Sequence, residues 1–274
     1  MPSFVDLHTH TTASDGTLTP AALLDKALDL KIRVLSVTDH DSTSGLEAIQ
    51  ALLPSHPDIR IIPGLEMSAE GEYYCHLLGY FVDIRAAGFQ TTLAQFRLRR
   101  LERIAAMTKK INALGLDIDY ERVVALAAGG SVGRPHLADA LVEKKYVKSR
   151  KEAFDRYLKR DGLGYVEGEG SSAAECIQFI RSAGGIPVLA HPSYYTTPDL
   201  LKHLVDLGLM GIEVYYPEHS RALIQRYLDL AKTYNLVATG GSDFHGPKTH
   251  RSSLACVNVP DTVIEELEKR RGAR

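Results

Sequence analysis

The stretch "FVDLHTHTTASDGTLTPAALLDKALDLKIRVLSVTDH", residues 4–40, decides how this chain folds. It opens on "FVDLH", whose apolar residues alternate as in a strand. "TPAALLDKALDL" has helical spacing, with Thr19 placed to cap and Pro20 at the first helical position. "RVLSVTDH" is a second strand. Strand, helix, strand reads as a parallel βα unit. Both strands end on polar groups: His8 and His10, with Asp15 just beyond, and then Asp39-His40.

The rhythm continues outward. "TSGLEAIQALL" is a helix, "IRIIPGLE" a third strand and "EYYCHLLGYFV" a fourth. From about Ala87 to Gly170 the pattern turns helical, with four predicted helices. The first ends at Gly115, the second is capped by Asp119 and stopped by Gly129-Gly130, the third starts at Pro135, and the fourth is capped by Ser149. Past Gly170 the alternation returns, with "IPVLAH", "GIEVYY" and "LVATGGSDFH" as strands and "SLACVNV" as a candidate further one. Seven or eight strands fit a barrel-like α/β domain formed by residues 1–86 and 171–274. Residues 87–170 form a helical insertion placed to cap a substrate.

Composition is that of a globular chain of 274 residues, 45% hydrophobic and 24% charged. No apolar run reaches the ~18 residues of a membrane span, and no secretory signal is visible, so no membrane partner is expected. Cys75, Cys176 and Cys256 are odd in number and form no CxxC pair. They read as small core residues in a reducing compartment, the cytoplasm. Charge is unevenly placed. Gln95 to Arg160 holds sixteen Lys/Arg against eight Asp/Glu, while the rest nets −10. A basic middle in an acidic frame points to contact with an anion.

Polar residues recur at one place in the repeat, the C-terminal ends of strands, where parallel α/β barrels assemble active sites. His8, His10, Asp15, His40, Glu66, His191, Asp243 and His245 all fall there, and His76 lies within the fourth strand. Alternate strand residues share a face, so Asp6, His8 and His10 point the same way. Imidazoles mixed with carboxylates suit Mn²⁺, Fe²⁺ or Zn²⁺ better than Ca²⁺. Nine donors exceed one tetrahedral ion and suit two or three ions, roughly 3.5–4 Å apart, sharing a carboxylate such as Glu66. Asp6 and Asp39 stand behind these residues as groups that would fix histidine tautomers. No nucleophile elbow, P-loop or dinucleotide fingerprint competes with this reading.

"DLHTH" with "SDGT", "TDHDS", "GLEMS", "CHLLGY", "AHP" and "GGSDFHG" resemble, in order, the motifs of the PHP (polymerase and histidinol phosphatase) superfamily. The resemblance spans residues 6–246. It implies a distorted (β/α)7 TIM-like barrel with a di- or trinuclear centre, for which Mn²⁺ is the first expectation and Fe, Zn or Mg the alternatives. The implied ligands are His8, His10, Asp15, His40, Glu66, His76, His191, Asp243 and His245. An insertion carrying "GRPH", Gly133 to His136, resembles stand-alone phosphoesterases of that family. Those remove the 3′-phosphate of nucleoside 3′,5′-bisphosphates or trim short 5′-phosphorylated RNA.

The expected activity is therefore hydrolysis of a phosphate monoester on a small nucleotide by a metal-activated hydroxide. His191, His245 and Asp243 are the candidate catalytic groups. Arg134, at a helix start where phosphate is favoured, is the candidate anchor for the phosphate that is not cleaved. Ser131 and His136 complete its cradle, and His219 is a further substrate contact. The expected partners are a small phosphorylated nucleotide or a short oligonucleotide, since no extended basic groove with stacking aromatics suggests a long strand. Rival readings are a histidinol-phosphate-like phosphatase, a metal-dependent amide hydrolase and a nucleotide-binding module without turnover.

Overall fold

The computed structural model describes residues 4–71, 73–167, 170–194, 197–247 and 249–272. One sheet holds seven strands in chain order: β1 (Val5–Asp6), β2 (Val34–Val37), β3 (Arg60–Ala69), β4 (Cys75–Tyr80), β5 (Ile186–Leu189), β6 (Gly211–Tyr215) and β7 (Val237–Gly240). The helices are α1 (Pro20–Asp29), α2 (Ser44–Leu52), α3 (Phe89–Ala113), α4 (Tyr120–Leu126), α5 (Arg134–Glu143), α6 (Arg150–Ala153), α7 (Ala173–Ser182), α8 (Pro198–Asp206), α9 (Arg221–Thr233) and α10 (Thr262–Gly272). The fold is mixed α/β, with a curled sheet and helices packed on it.

The strands pair in parallel except at β4, which is antiparallel to both neighbours. This departs from the parallel units read in the sequence, and length is the reason. Only residues 70–74 join β3 to β4, and a parallel crossover needs about a dozen residues. The sheet curls until its ends meet. Beyond β1 and β7, Thr9 bridges Phe244, His10 N donates to Phe244 O (2.8 Å) and Leu7 N to Gly240 O (3.3 Å). With that edge taken, "SLACVNV" has no strand to pair with and is irregular. Its Leu254 and Ala255 are buried instead, and Ala255 N donates to Asp6 Oδ2 (2.8 Å).

Local signals set the helix ends. Thr19 accepts from the Ala22 amide (3.2 Å) ahead of Pro20, Asp119 from Glu121 (3.0 Å) and Ser149 from Glu152 (3.2 Å). Gly115, at φ +84°, takes the left-handed position after α3. The fourth predicted helix of the insertion is shorter than its pattern: α6 runs into one π-helical turn, Phe154–Leu158, which buries Tyr157 and Leu158.

Leu65, Leu77, Leu189 and Ile212 from the sheet pack with Ile177 and Leu201 from the covering helices. Val5, Ile62, Leu78, Ile186 and Val237 form a second core closed by Leu267 of α10. The helices from α3 to α6 bury a core of their own, with Ile104, Met107, Ile111, Val123, Leu137 and Leu141 at its heart. That body is tied to the end of β3 and the residue after it by polar contacts. Arg103 of α3 forms a buried ion pair with Glu70, whose other oxygen accepts from Tyr165 OH (3.3 Å). Cys75 and Cys176 are buried as expected of core residues, but Cys256 is exposed, because the segment carrying it is not a strand. Among the described residues no helix is long and apolar enough to cross a membrane.

Candidate metal centre

The sheet's curl brings the C-terminal ends of its parallel strands to one place, and β4 enters from the opposite direction with His76. Glu66, on β3, is at the middle. Its Oε1 lies 3.0 Å from His76 Nδ1 and 3.0 Å from His191 Nε2. Its Oε2 lies 3.3 Å from His8 Nε2, 3.2 Å from His10 Nε2 and 3.2 Å from His40 Nδ1. Asp243 Oδ1 stands 3.4 Å from His8, 3.2 Å from His10 and 3.4 Å from His245. Asp15 reaches His245 Nε2 (3.4 Å), His10 (3.8 Å) and His40 (3.9 Å). The donors form overlapping groups, each within 4.8 Å: His10, Asp15, His40 and His245; His8, His10 and Asp243; His8, Glu66 and His191; His40, Glu66 and His76. All nine residues singled out in the sequence are in these groups.

Backbone geometry presents several of them. His191 and Asp243 take left-handed conformations, at φ 26° and 52°, which non-glycine residues adopt at a cost where surroundings over-determine them. Gly241 lets the chain pass close to β1: a Cβ there would lie 2.4 Å from both Cβ and N of His8.

The electrostatics suit cations. Burial opposes ionisation of Glu66, yet the imidazoles of His40, His8 and His76 hold its carboxyl well below the usual range. Asp243 is likewise held low against burial by Arg251, His8 and His245, and Asp15 by His245 and His40. Burial pushes His40 well down and His76 to about 4. His8 and His10 go the other way. Against the effect of burial, Asp243, Glu213 and Glu66 raise His8, and Asp243 and Glu66 raise His10 to about 9. Three carboxylates held low therefore share the centre with imidazoles drawn in opposite directions, His8 and His10 upward and His40 and His76 downward.

A divalent ion fits this arrangement. His10 Nδ1 and Nε2, His40 Nδ1, Asp15 Oδ1 and Asp243 Oδ1 are buried without a hydrogen-bond partner. Such orphans are rare in native proteins and call for an unseen water or ion. Their donor atoms crowd within 3.2–3.9 Å of one another without hydrogen-bond alignment, as atoms aimed at a shared cation do. The site is a slot packed among side chains. A surface cavity of about 430 Å³, lined by Lys110, Arg160 and Tyr165 among others, includes none of them.

The surrounding polar residues differ from the sequence reading. Asp6 accepts from the backbone amides of Ser242 (2.8 Å), Ala255 (2.8 Å) and His8 (3.4 Å). Asp39 accepts from Thr11 N, Thr11 Oγ1 and Ser14 Oγ, each at 2.7 Å. Neither carboxylate makes a hydrogen bond to an imidazole: Asp6 holds backbone amides, and Asp39 holds the Thr11–Ser14 turn by one amide and two hydroxyls. Glu213, on β6, makes that contact: its Oε1 is 2.9 Å from His8 Nδ1, and its Oε2 accepts from His191 N (2.7 Å). Sequence reasoning missed Glu213, although "IEVYY" places an acid inside an apolar strand, which is a usable signal. It also missed Arg251 and Tyr216. Arg251 Nη1 lies 2.5 Å from Asp243 Oδ2, which accepts from Tyr216 OH at 2.9 Å. Arg251 sits in a loop with no motif to mark it.

The candidate substrate residues are nearby but unequal. Arg134, the first residue of α5, donates to Tyr74 OH, and that hydroxyl is 2.8 Å from His76 Nε2. Arg100 and Arg103 each pair with a carboxylate; among the described residues no carboxylate lies within ion-pair distance of Arg134. Ser131 is buried with its hydroxyl unpartnered. His136 accepts from Gly133 N at Nδ1 (3.0 Å), which leaves Nε2 as the donor. His219 has protein partners for both ring nitrogens, Val214 O (2.8 Å) and Ser193 Oγ (3.1 Å), and is not among the clustered groups.

Curled sheet and clustered donors define a metal-dependent phosphoesterase, and comparison with known proteins agrees. A PHP domain model matches residues 6–167, and the chain belongs to the PHP family. The 5′-3′ exoribonuclease Rnm of Escherichia coli (strain K12) is 34% identical over 249 residues, 88% of this chain and 85% of its own. Phosphoribosyl 1,2-cyclic phosphate 1,2-diphosphodiesterase of Eggerthella lenta is 33% identical over 251 residues, covering 88% and 94%. The 3′,5′-nucleoside bisphosphate phosphatase of Chromobacterium violaceum is 32% identical over 253 residues, covering 89% and 87%. A crystal structure from Bifidobacterium adolescentis, described as a metal-dependent phosphoesterase, superposes with a TM-score of 0.86 at 28% identity, covering 98% of each chain.

Proposed function

We propose that this phosphoesterase removes the 3′-phosphate from nucleoside 3′,5′-bisphosphates. His8, His10, Asp15, His40, Glu66, His76, His191, Asp243 and His245 would hold two or three divalent ions, Mn²⁺ first. Ions there would supply activated water and neutralise phosphoryl charge. The observation that carries the reading is Arg134: a cation one tyrosine away from His76, with no carboxylate within ion-pair distance among the described residues. It would anchor one phosphate while the other reacts, with Ser131 Oγ and His136 Nε2–H as further donors. Residues 87–170 act in this reading as a substrate cap on a barrel of residues 1–86 and 171–274.

The chain's own groups divide the remaining work. His191 and His245, each with Nε2 turned toward a carboxylate, are the proton-handling candidates, and Asp243 presents a single free oxygen because Arg251 and Tyr216 hold the other. His219 would act through Ser193. The free cysteines favour the cytoplasm. A second reading, 5′-3′ trimming of short RNA, is favoured by the similarity to Rnm.

Phosphate release tests the choice. The substrates are nucleoside 3′,5′-bisphosphate, nucleoside 5′-monophosphate, histidinol phosphate and a short 5′-phosphorylated RNA, each with Mn²⁺, Mg²⁺ or Zn²⁺. The bisphosphate with Mn²⁺ should give the highest kcat/KM. A marked preference for histidinol phosphate overturns the reading, and nucleotide release from RNA at a higher kcat/KM replaces it with the second.

A further inference from the structure

Arg100 lies on α3, outside the metal centre, yet it joins three separate parts of the molecule. Its Nε donates to Val132 O (2.7 Å), its Nη1 to Asp41 Oδ2 (2.8 Å) and to Ser68 Oγ (2.5 Å). Val132 stands between Ser131 and the start of α5 at Arg134. Asp41 follows His40, takes φ 48°, and donates its amide to Glu66 O (2.8 Å). Ser68 shares the face of β3 that carries Glu66 two residues earlier. One guanidinium thus touches the loop of the anion-anchoring residues and the two chain segments that deliver His40 and Glu66.

The contact is built from both sides. A Cβ on Gly133 would lie 2.4 Å from Arg100 Nη2, so any side chain there would displace the guanidinium from this position. The Gly133 backbone is extended, at φ −150°, so a side chain there would conflict with the guanidinium and not with backbone conformation. The loop is also pinned by Ser131 N donating to Ala13 O (2.9 Å), on the segment between His10 and Asp15. A planar fork with fixed donor angles is suited to holding several acceptors in one geometry, and an ammonium is not.

We propose that Arg100 is a positioning residue: it sets where residues 131–136 stand over the metal centre, and so sets the preference for a substrate with a second phosphate. The preference part rests on the bisphosphate reading above; the positioning part does not. Arg100→Gln removes the fork, Arg100→Lys keeps the charge without it, and Gly133→Ala pushes the fork away while leaving every hydrogen-bonding group in place. Arg99→Gln is the control, since Arg99 pairs with Glu175 on α7 and reaches neither the loop nor the centre.

Two readouts on the Mn²⁺-loaded full chain decide it. Amide hydrogen exchange over residues 129–136 should speed up in R100Q, R100K and G133A and stay unchanged in R99Q. The ratio of kcat/KM for nucleoside 3′,5′-bisphosphate to that for an aryl phosphate should fall about tenfold or more in the same three variants, mainly through KM for the bisphosphate, as loss of a charge-assisted contact would give. Unchanged exchange overturns the positioning role. Faster exchange with an unchanged ratio, or an equal fall for both substrates, overturns the link to preference. A wild-type protein that does not favour the bisphosphate fails the earlier reading instead, and exchange alone then decides the role of Arg100.

Discussion

Glu66 meets five imidazoles with two oxygens, and each imidazole must be aimed by something else. For His8 that group is Glu213, fully buried and 2.9 Å away, which also takes the amide of His191. A carboxylate on the far ring nitrogen fixes the tautomer and raises the basicity of the near one. Glu213→Gln keeps the volume and removes that effect. We expect metal affinity or kcat/KM to fall by about 10–100-fold, read by metal content after dialysis and by steady-state kinetics. Wild-type values in both would remove Glu213 from the machinery. Sequence spacing marked all nine clustered residues because each was read at or just past a strand's end or, for His76, within a strand. Glu213 was marked only as an acid inside an apolar strand, with its partner His8 about two hundred positions away, and Arg251 was not marked at all, since its place comes from a loop's path.

β3 links the centre to the helical body. Its alternation puts Glu66 and Ser68 on one side, and Glu70 follows just past its end: the first faces the imidazoles, the second Arg100, the third Arg103. Arginines three apart on α3 match residues two apart on a strand, because three residues of helix rise about 4.5 Å and two of strand about 6.6 Å, within reach of long side chains. Arg103→Met would leave buried Glu70 without its ion-pair partner, keeping the Tyr165 OH hydrogen bond. Breaking a buried pair from one side costs about 3–5 kcal/mol, and urea unfolding should show a loss of that order. A loss no larger than an exposed pair gives, up to about 1 kcal/mol, would mean that the helical body docks by its apolar contacts alone. The helices were legible because caps and glycines are local. The apolar pattern of β4 is the same in either direction, and only the short connection before it carried the antiparallel turn.

For the whole molecule, the centre joins segments from residue 8 to residue 245, so whatever binds it should stabilise the entire fold. An ion at 100 times its Kd adds about 2.7 kcal/mol, and chelation should lower Tm accordingly. The pH dependence has a definite sign. His10, raised to about 9 from an ordinary 6.5 despite burial, stabilises the metal-free protein fully below 6.5 and loses that contribution as pH rises through about 9. The same proton competes with a metal ion for the ring. The Tm gap between Mn²⁺-loaded and chelated protein should therefore widen from pH 6.5 to 9 in differential scanning calorimetry. A gap that narrows over this range would show that protonated His10 does not compete with the ion. Taken by itself, the sequence determined the α/β rhythm, the helical interruption and the set of donor residues, because strand alternation, capping and composition are properties of neighbours along the chain. Tertiary structure alone decided that Glu66, already the candidate shared carboxylate, meets five imidazoles, that Glu213 rather than Asp6 or Asp39 contacts His8, and that Arg100 bonds Val132, Asp41 and Ser68 at once. Those facts depend on where the curled sheet brings distant residues, and burial there converts their charges into pairings that no local pattern encodes.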